Sequence, residues 1–313
     1  MISWNGIGLG LLASVLLTAG CSVPGQGTDR AGSTPAAPPS TASMPLDGPP
    51  SPPPTPTTLP PQLEQVDTAV STNQENSVTD DGTTQYAVEM LQNADRVWSA
   101  WFRQLGYPEP YVFLQLIQPG VPYTNQNCRA KVGDQIVTTF ASDYPNAMYC
   151  DAPNGQDKGI IIIPVRALAK LWTGDIYGRR VEDVKAIGDF AAGAVITHEF
   201  GHHIGAELAE DKGIAPQARG KNKELLADCF AGVHAYALSL GIDGRLDPGD
   251  VDEALAALAA LGDASPAAAD PHGTPAERRS AFLTGMNGTA QDTRGGVPNT
   301  CLKAYWPEAA WVE

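Results

Sequence analysis

Basic residues are scarce in this chain. Across 313 residues, 20 Lys and Arg stand against 35 Asp and Glu, a formal net charge of -15. No cluster of Lys or Arg breaks the acidic background. That excludes a nucleic-acid partner, whose phosphates call for such clusters, and a polybasic membrane-surface patch. Cysteine is scarce too, five in all. No two of them form a CxxC pair, so a cysteine-built metal centre has no ligands here. There is no internal repeat, and the longest apolar stretch, near the amino terminus, is too short to span a bilayer stably. What remains is an ordinary apolar fraction, 42%, enough to bury a core, in a length that holds one sizeable domain plus extras.

The ends of the chain differ in kind. Residues 1–20 read as an export signal of the lipoprotein type. Ile7 to Ala19 is apolar, and Leu17-Thr18-Ala19-Gly20 leads into Cys21 as small residues lead into the cysteine of a bacterial lipobox. Cleavage there leaves Cys21 as a lipidated N-terminus that anchors the chain to the outer face of the membrane. Residues 21–82 read as a disordered linker. Pro, Ser, Thr, Gly and Ala dominate its first part, as in Ser51-Pro52-Pro53-Pro54-Thr55-Pro56, and such a composition cannot bury enough apolar surface to offset its ordering entropy. Export implies an oxidising compartment. Without Cys21, the cysteines Cys128, Cys150, Cys229 and Cys301 suit two disulfides with three connectivities.

Residues 83–313 read as the globular domain. Val88, Leu91, Ala94, Val97, Trp98 and Trp101 recur at helical spacing and predict a helix over Tyr86–Leu105. Val112 to Ile117 is a short apolar run that predicts a strand. Gly159 to Val165 is the strongest strand signal, and Pro164 places it at a sheet edge, because proline cannot donate to a ladder. Further helical patterns run from Val181 to about Leu208, with Asp189 as N-cap, from Asn222 to Leu240, and from Asp252 to Leu261. Thr274-Pro275-Ala276-Glu277 predicts a helix start closed by a capping box, running to about Leu283. The fold class is therefore α+β, helix-rich with a small sheet.

The chemistry centres on His198-Glu199-Phe200-Gly201-His202. On a helix, residues i and i+4 share a face, so both imidazoles reach one Zn²⁺. Glu199 stands beside the open position, where it can take a proton from water. A lone pattern of this kind arises by chance in roughly one chain of this length in a hundred, so the third ligand matters. The extended pattern fails, because Leu208 stands where a third histidine would be. Glu224-Leu225-Leu226-Ala227-Asp228 offers a carboxylate instead. Glu224 can ligate, while Asp228 accepts the other ring N–H of a ligand histidine. Two histidines and one glutamate leave a position open, the composition of a catalytic site holding one Zn²⁺ per chain. Peptidases of this type need a donor for the oxyanion. His272, ahead of Thr274, is the candidate, and Tyr236 is a weaker one. His203 and His234 read as structural.

The run His198 to His203, with Glu224 to Gly232, resembles the bacterial family of neutral zinc metallopeptidases. The likeness extends through Gly188-Asp189-Phe190-Ala191, Cys128, Tyr149-Cys150, His272-Gly273-Thr274, Arg278 and Cys301, about residues 120–305. It implies a zincin-like fold, zinc, hydrolysis of a peptide or protein substrate, and the pairings Cys128–Cys150 and Cys229–Cys301. A rival reading keeps the zinc as a fold staple in a non-catalytic envelope lipoprotein that acts as a binding or scaffold module. A second rival is another zinc hydrolase, such as an amidase acting on cell-wall peptide.

Overall fold

Alternation along two strands sets the layers. The computed structural model describes residues 70–72, 81–132, 135–151, 159–176, 179–180, 188–242, 244–263, 271–291 and 293–311. The export signal, Cys21 and the proline-rich stretch lie outside them. Four strands form the main sheet: β1 (Val70–Thr72), β2 (Phe113–Ile117), β7 (Met148–Cys150) and β8 (Ile160–Pro164), in the order β1-β2-β8-β7. β1 and β8 run parallel to β2, and β7 is antiparallel to β8. Leu114 pairs with Ile161 and Leu116 with Ile163, and all four face the helices. Ile117 and Ile162 face the other way, into a smaller core with Cys128 and Phe140. Successive side chains of a strand point to opposite faces, so one sheet serves two cores.

Three two-stranded ribbons accompany this sheet: β3 (Tyr123–Thr124) with β6 (Thr139–Phe140), β4 (Ala130–Val132) with β5 (Gln135–Val137), and β9 (Asp175–Ile176) with β10 (Arg179–Arg180). The disulfide Cys128–Cys150 joins the end of β7 to the segment before β4.

β8 is not an edge. It pairs with β2 along its whole length and with β7 from Ile160 to Ile162, so it is an inner strand. Pro164 is tolerated because it is the last residue of the strand. β7 reaches only Ile160 to Ile162, so nothing opposite Pro164 requires its missing N–H on that side. The chain then turns straight into α2 (Val165–Trp172), with Pro164 at its N-cap position.

The helical layer holds α1 (Asp81–Leu105), α3 (Asp189–Lys212), α4 (Lys221–Ser239), α5 (Asp250–Ala260), α6 (Pro275–Asn287) and α7 (Pro298–Tyr305). α3 is buried all round from Phe190 to Gly201, as expected of a central helix. It packs on α1, α4, α5 and the sheet. Its cap is not Asp189. Gly188 holds the N-cap position without a side-chain bond, and Glu253 Oε2 from α5 accepts from the Phe190 N–H instead, at 3.1 Å. A carboxylate from a packed neighbour has taken over the capping. α6 starts with the capping box: Thr274 Oγ1 accepts from the Glu277 N–H, and the Glu277 carboxylate accepts from the Thr274 N–H. α6 also runs on to Asn287, because Gly285 is an interior contact residue; a Cβ there would lie 1.9 Å from the Cys229 carbonyl oxygen of α4. Cys229 is bonded to Cys301 of α7, with S–S 2.08 Å.

α1 starts at Asp81 and β1 lies at Val70–Thr72, both inside the stretch read as linker. Among the described residues, no helix is long and apolar enough to cross a membrane.

His234 is fully buried on α4, and its Nε2–H donates to Asn93 Oδ1 of α1. Burial pushes its imidazole down to about 3. The unfolded chain therefore binds a proton there near pH 6.5 that the folded chain refuses. The stability this neutral ring preserves is complete above pH 6.5 and falls away between about 6.5 and 3. Urea denaturation from pH 7 to 4 should show an acid slope of up to about 1.4 kcal/mol per pH unit from this residue. His234→Gln should flatten the slope by that amount; an unchanged slope would assign the acid sensitivity to other groups.

Candidate metal centre

Two helices meet almost backbone to backbone at the site. A Cβ on Gly201 of α3 would lie 2.8 Å from the Ala227 carbonyl oxygen of α4 and 2.9 Å from its Cα. Only glycine permits this approach without displacement. It sets the face of α3 that bears His198 and His202 against the first turns of α4, which bear Glu224 and Asp228.

The imidazole Nε2 of His198 lies 3.4 Å from Glu224 Oε2, and that of His202 lies 3.5 Å from the same oxygen. Ligand atoms of the three residues all fall within 4.8 Å of one another. A tetrahedral zinc with N and O ligands at 2.0–2.1 Å requires ligand atoms about 3.4 Å apart. The donor set and its spacing therefore fit zinc. The three side chains are largely buried, and Glu224 is the most open, at 21% exposure.

Behind the ligands sits Asp228, fully buried. Its Oδ1 accepts from His198 Nδ1–H at 2.7 Å. That bond places a proton on Nδ1 and makes Nε2, which faces Glu224, the nitrogen left to ligate a metal. Arg278 of α6 grips the same carboxylate, with Nε to Oδ2 at 2.8 Å and Nη2 to Oδ1 at 2.8 Å. Nη2 is also 3.3 Å from His198 Nδ1. Both nitrogens carry hydrogens, so they do not bond to each other; both donate to Oδ1. His202 differs: its Nδ1 is buried without a hydrogen-bond partner among the described residues.

Charge in this cluster is sustained by pairing against burial. Burial pushes the His198 imidazolium down, but the Asp228 charge and hydrogen bond, helped by Glu224, raise it to about 10. Burial pushes Glu224 up, and the two histidines outweigh that, holding it well below the usual carboxylate range. Asp228 is likewise raised by burial and lowered further by Arg278 and His198. The carboxylates stay ionised, and the cluster favours a positive charge between them.

The remaining candidates lie outside the ligand set. Glu199, next in the chain to His198, is buried on α3. His272 is half exposed on the loop before α6. Its N–H and that of Gly273 donate to Asp263 Oδ2 at 2.6 and 3.1 Å, and its Nδ1 lies 3.6 Å from Asp263 Oδ1. Tyr236 is more than three turns along α4 from Glu224, about 18 Å by helical rise, with its ring against Gly295 and Gly296. His203 is buried on another face of α3, between the rings of Tyr149 and Phe200. The grip of Arg278 on Asp228 was missed in the sequence. The available signal was an arginine one residue past a capping-box glutamate, where a short helix would bury it.

Residues 173–294 match the model of the family described as "Putative neutral zinc metallopeptidase". The match contains His198, Glu199, His202, Glu224, Asp228, His272 and Arg278, and it shows the family likeness read from the motifs. Among curated proteins the chain is similar to "Uncharacterized protein YpfJ" of Escherichia coli (strain K12). The two are 29% identical over 236 residues, covering 67% of this chain and 70% of that protein. It is also similar to "Uncharacterized protein Mb2605" of Mycobacterium bovis, 33% identical over 136 residues, 36% of this chain and 44% of that one. No solved structure matches.

Gly201→Ala should force α3 and α4 apart, at a cost of about 1–3 kcal/mol of overpacking. Thermal unfolding should show the loss, and chelator competition should show weaker zinc binding. Unchanged zinc affinity would mean that the helix contact does not set the ligand spacing.

Proposed function

We propose that this chain is a zinc-dependent peptidase whose metal is held by His198, His202 and Glu224. The observation that carries the reading is the convergence of two imidazole Nε2 atoms on one Glu224 oxygen at 3.4 and 3.5 Å, with Glu199 next in the chain to His198. The family match over the same residues supports it.

Zinc, when bound, supplies Lewis acidity that polarises a scissile carbonyl and makes water a nucleophile near neutral pH. The protein's own residues handle protons and geometry. Glu199, in a largely buried setting, takes a proton from the attacking water and passes it to the departing amine. Asp228 holds His198 in the tautomer that ligates. His272 is the proposed donor to the oxyanion. Its position inside the family match, on a loop whose backbone is fixed by Asp263, supports that role. The substrate is a peptide or protein in the cell envelope, reached by a chain anchored through Cys21. The two disulfides support an oxidising location. A non-catalytic zinc staple would use the same three ligands and Asp228, but it has no role for an acid at position 199.

The deciding experiment incubates the zinc-loaded, oxidised full chain with a diverse peptide library and reads products by mass spectrometry. Glu199→Gln should lower cleavage about 10²–10⁴-fold with zinc still bound, and His272→Ala should lower turnover about 10²-fold. Zinc-bound wild-type protein that cuts nothing would favour the staple. For the anchor, Cys21→Ser should move the chain from the membrane fraction to the soluble one; a variant still in the membrane fraction would refute lipid attachment there.

A further inference from the structure

Arg278 contributes no atom to the ligand set, yet it is 3% exposed and ends on the carboxylate that orients His198. A carboxylate held by a histidine alone can swing about its Cβ–Cγ bond and exchange its oxygens. Here each oxygen is assigned. Oδ2 takes Arg278 Nε–H at 2.8 Å, and Oδ1 takes both Arg278 Nη2–H at 2.8 Å and His198 Nδ1–H at 2.7 Å. The planar fork of an arginine makes this two-point grip, whereas a lysine makes one contact at a time. The arginine is itself fixed. Nη1 donates to the Leu261 carbonyl at 3.3 Å. The first turn of α6 is held by its capping box and by Lys221 Nζ on Glu277 Oε1 at 2.7 Å, which ties it to the start of α4. An ion pair that merely fastened α6 to α4 would have no need to share the oxygen that receives the His198 bond.

We propose that Arg278 is a positioning residue of the metal centre: by fixing both oxygens of Asp228 it fixes the ring of His198, and so sets how tightly zinc is held. This rests on the zinc-binding part of the function proposed above, and not on peptide hydrolysis.

The test is a double-mutant cycle in the full chain, with wild type, Arg278→Lys, Asp228→Asn and the double variant. Zinc affinity is measured by competition with a chromophoric chelator, ring geometry by the visible spectrum of the cobalt-substituted protein, and fold stability by thermal unfolding of zinc-stripped samples. Arg278→Lys should weaken zinc binding ten- to a hundred-fold, the range for groups that orient a ligand, and should alter the cobalt spectrum. In the Asp228→Asn background the same change should do nearly nothing more, because its route to the metal is gone. Zinc affinity within two-fold of wild type overturns the proposal, as do losses that simply multiply. If Arg278→Lys does not fold, Asp228→Asn alone is compared with Arg278→Gln/Asp228→Asn, which removes both buried charges. Equal zinc affinities support the proposal, and a further drop overturns it. Wild-type protein that takes up no zinc overturns this proposal together with the reading beneath it. The expected zinc coupling in a chain that cleaves no peptide supports this one and sinks the peptidase alone.

Discussion

One buried carboxylate organises the functional half of this molecule. Asp228 has no solvent contact, and an ion removed from water costs several kcal/mol unless its partners are well placed. Its partners come from both directions along the chain, His198 thirty residues before it and Arg278 fifty after. None of the three is stable alone in that interior. α3, α4 and α6 must therefore reach their final packing together, and the orientation of a ligand histidine follows from that same assembly. The larger core beneath, shared by α1, the sheet and these helices, supplies the apolar driving force. The polar cluster determines which arrangement of helices that force can settle into.

Much of this was legible because it is local. His198 and His202 announce a shared face through a spacing of four, and Glu224 with Asp228 does the same. Thr274, Pro275 and Glu277 spell a helix start whose every bond is made within one turn. Several misreadings are of the opposite kind. Asp189 has the chemistry of a cap, but Glu253 reaches in from α5 to do that work, and no local pattern reveals it. Gly159 to Val165 was read as an edge from Pro164, when the proline sits beyond the reach of β7 and the strand is an inner one. α2 follows Pro164 with no intervening loop, so a run of branched residues concealed where extended chain ends and helix begins. Arg278 could be noticed in the sequence but not understood, because its meaning depends on α6 lying across α4.

That crossing is made by glycines. A Cβ on Gly232 of α4 would lie 1.9 Å from the Phe282 carbonyl oxygen of α6, and one on Gly285 would lie equally close to the Cys229 carbonyl oxygen of α4. With Gly201 against Ala227, α4 is thus approached by backbone on two sides. Such contacts leave no side chain between the helices whose exchange could adjust their separation.

The consequence is evolutionary. A lineage built on this scaffold cannot retune its reaction centre by the usual gradual trading of large for small residues, since the first methyl group added at any of these crossings meets a neighbouring peptide unit. Drift is freer in connections where backbone is not pressed on backbone, such as the ribbons beyond the sheet. Divergent preferences among descendants should therefore be recorded in those connections, while the helical frame passes from one to the next almost unaltered.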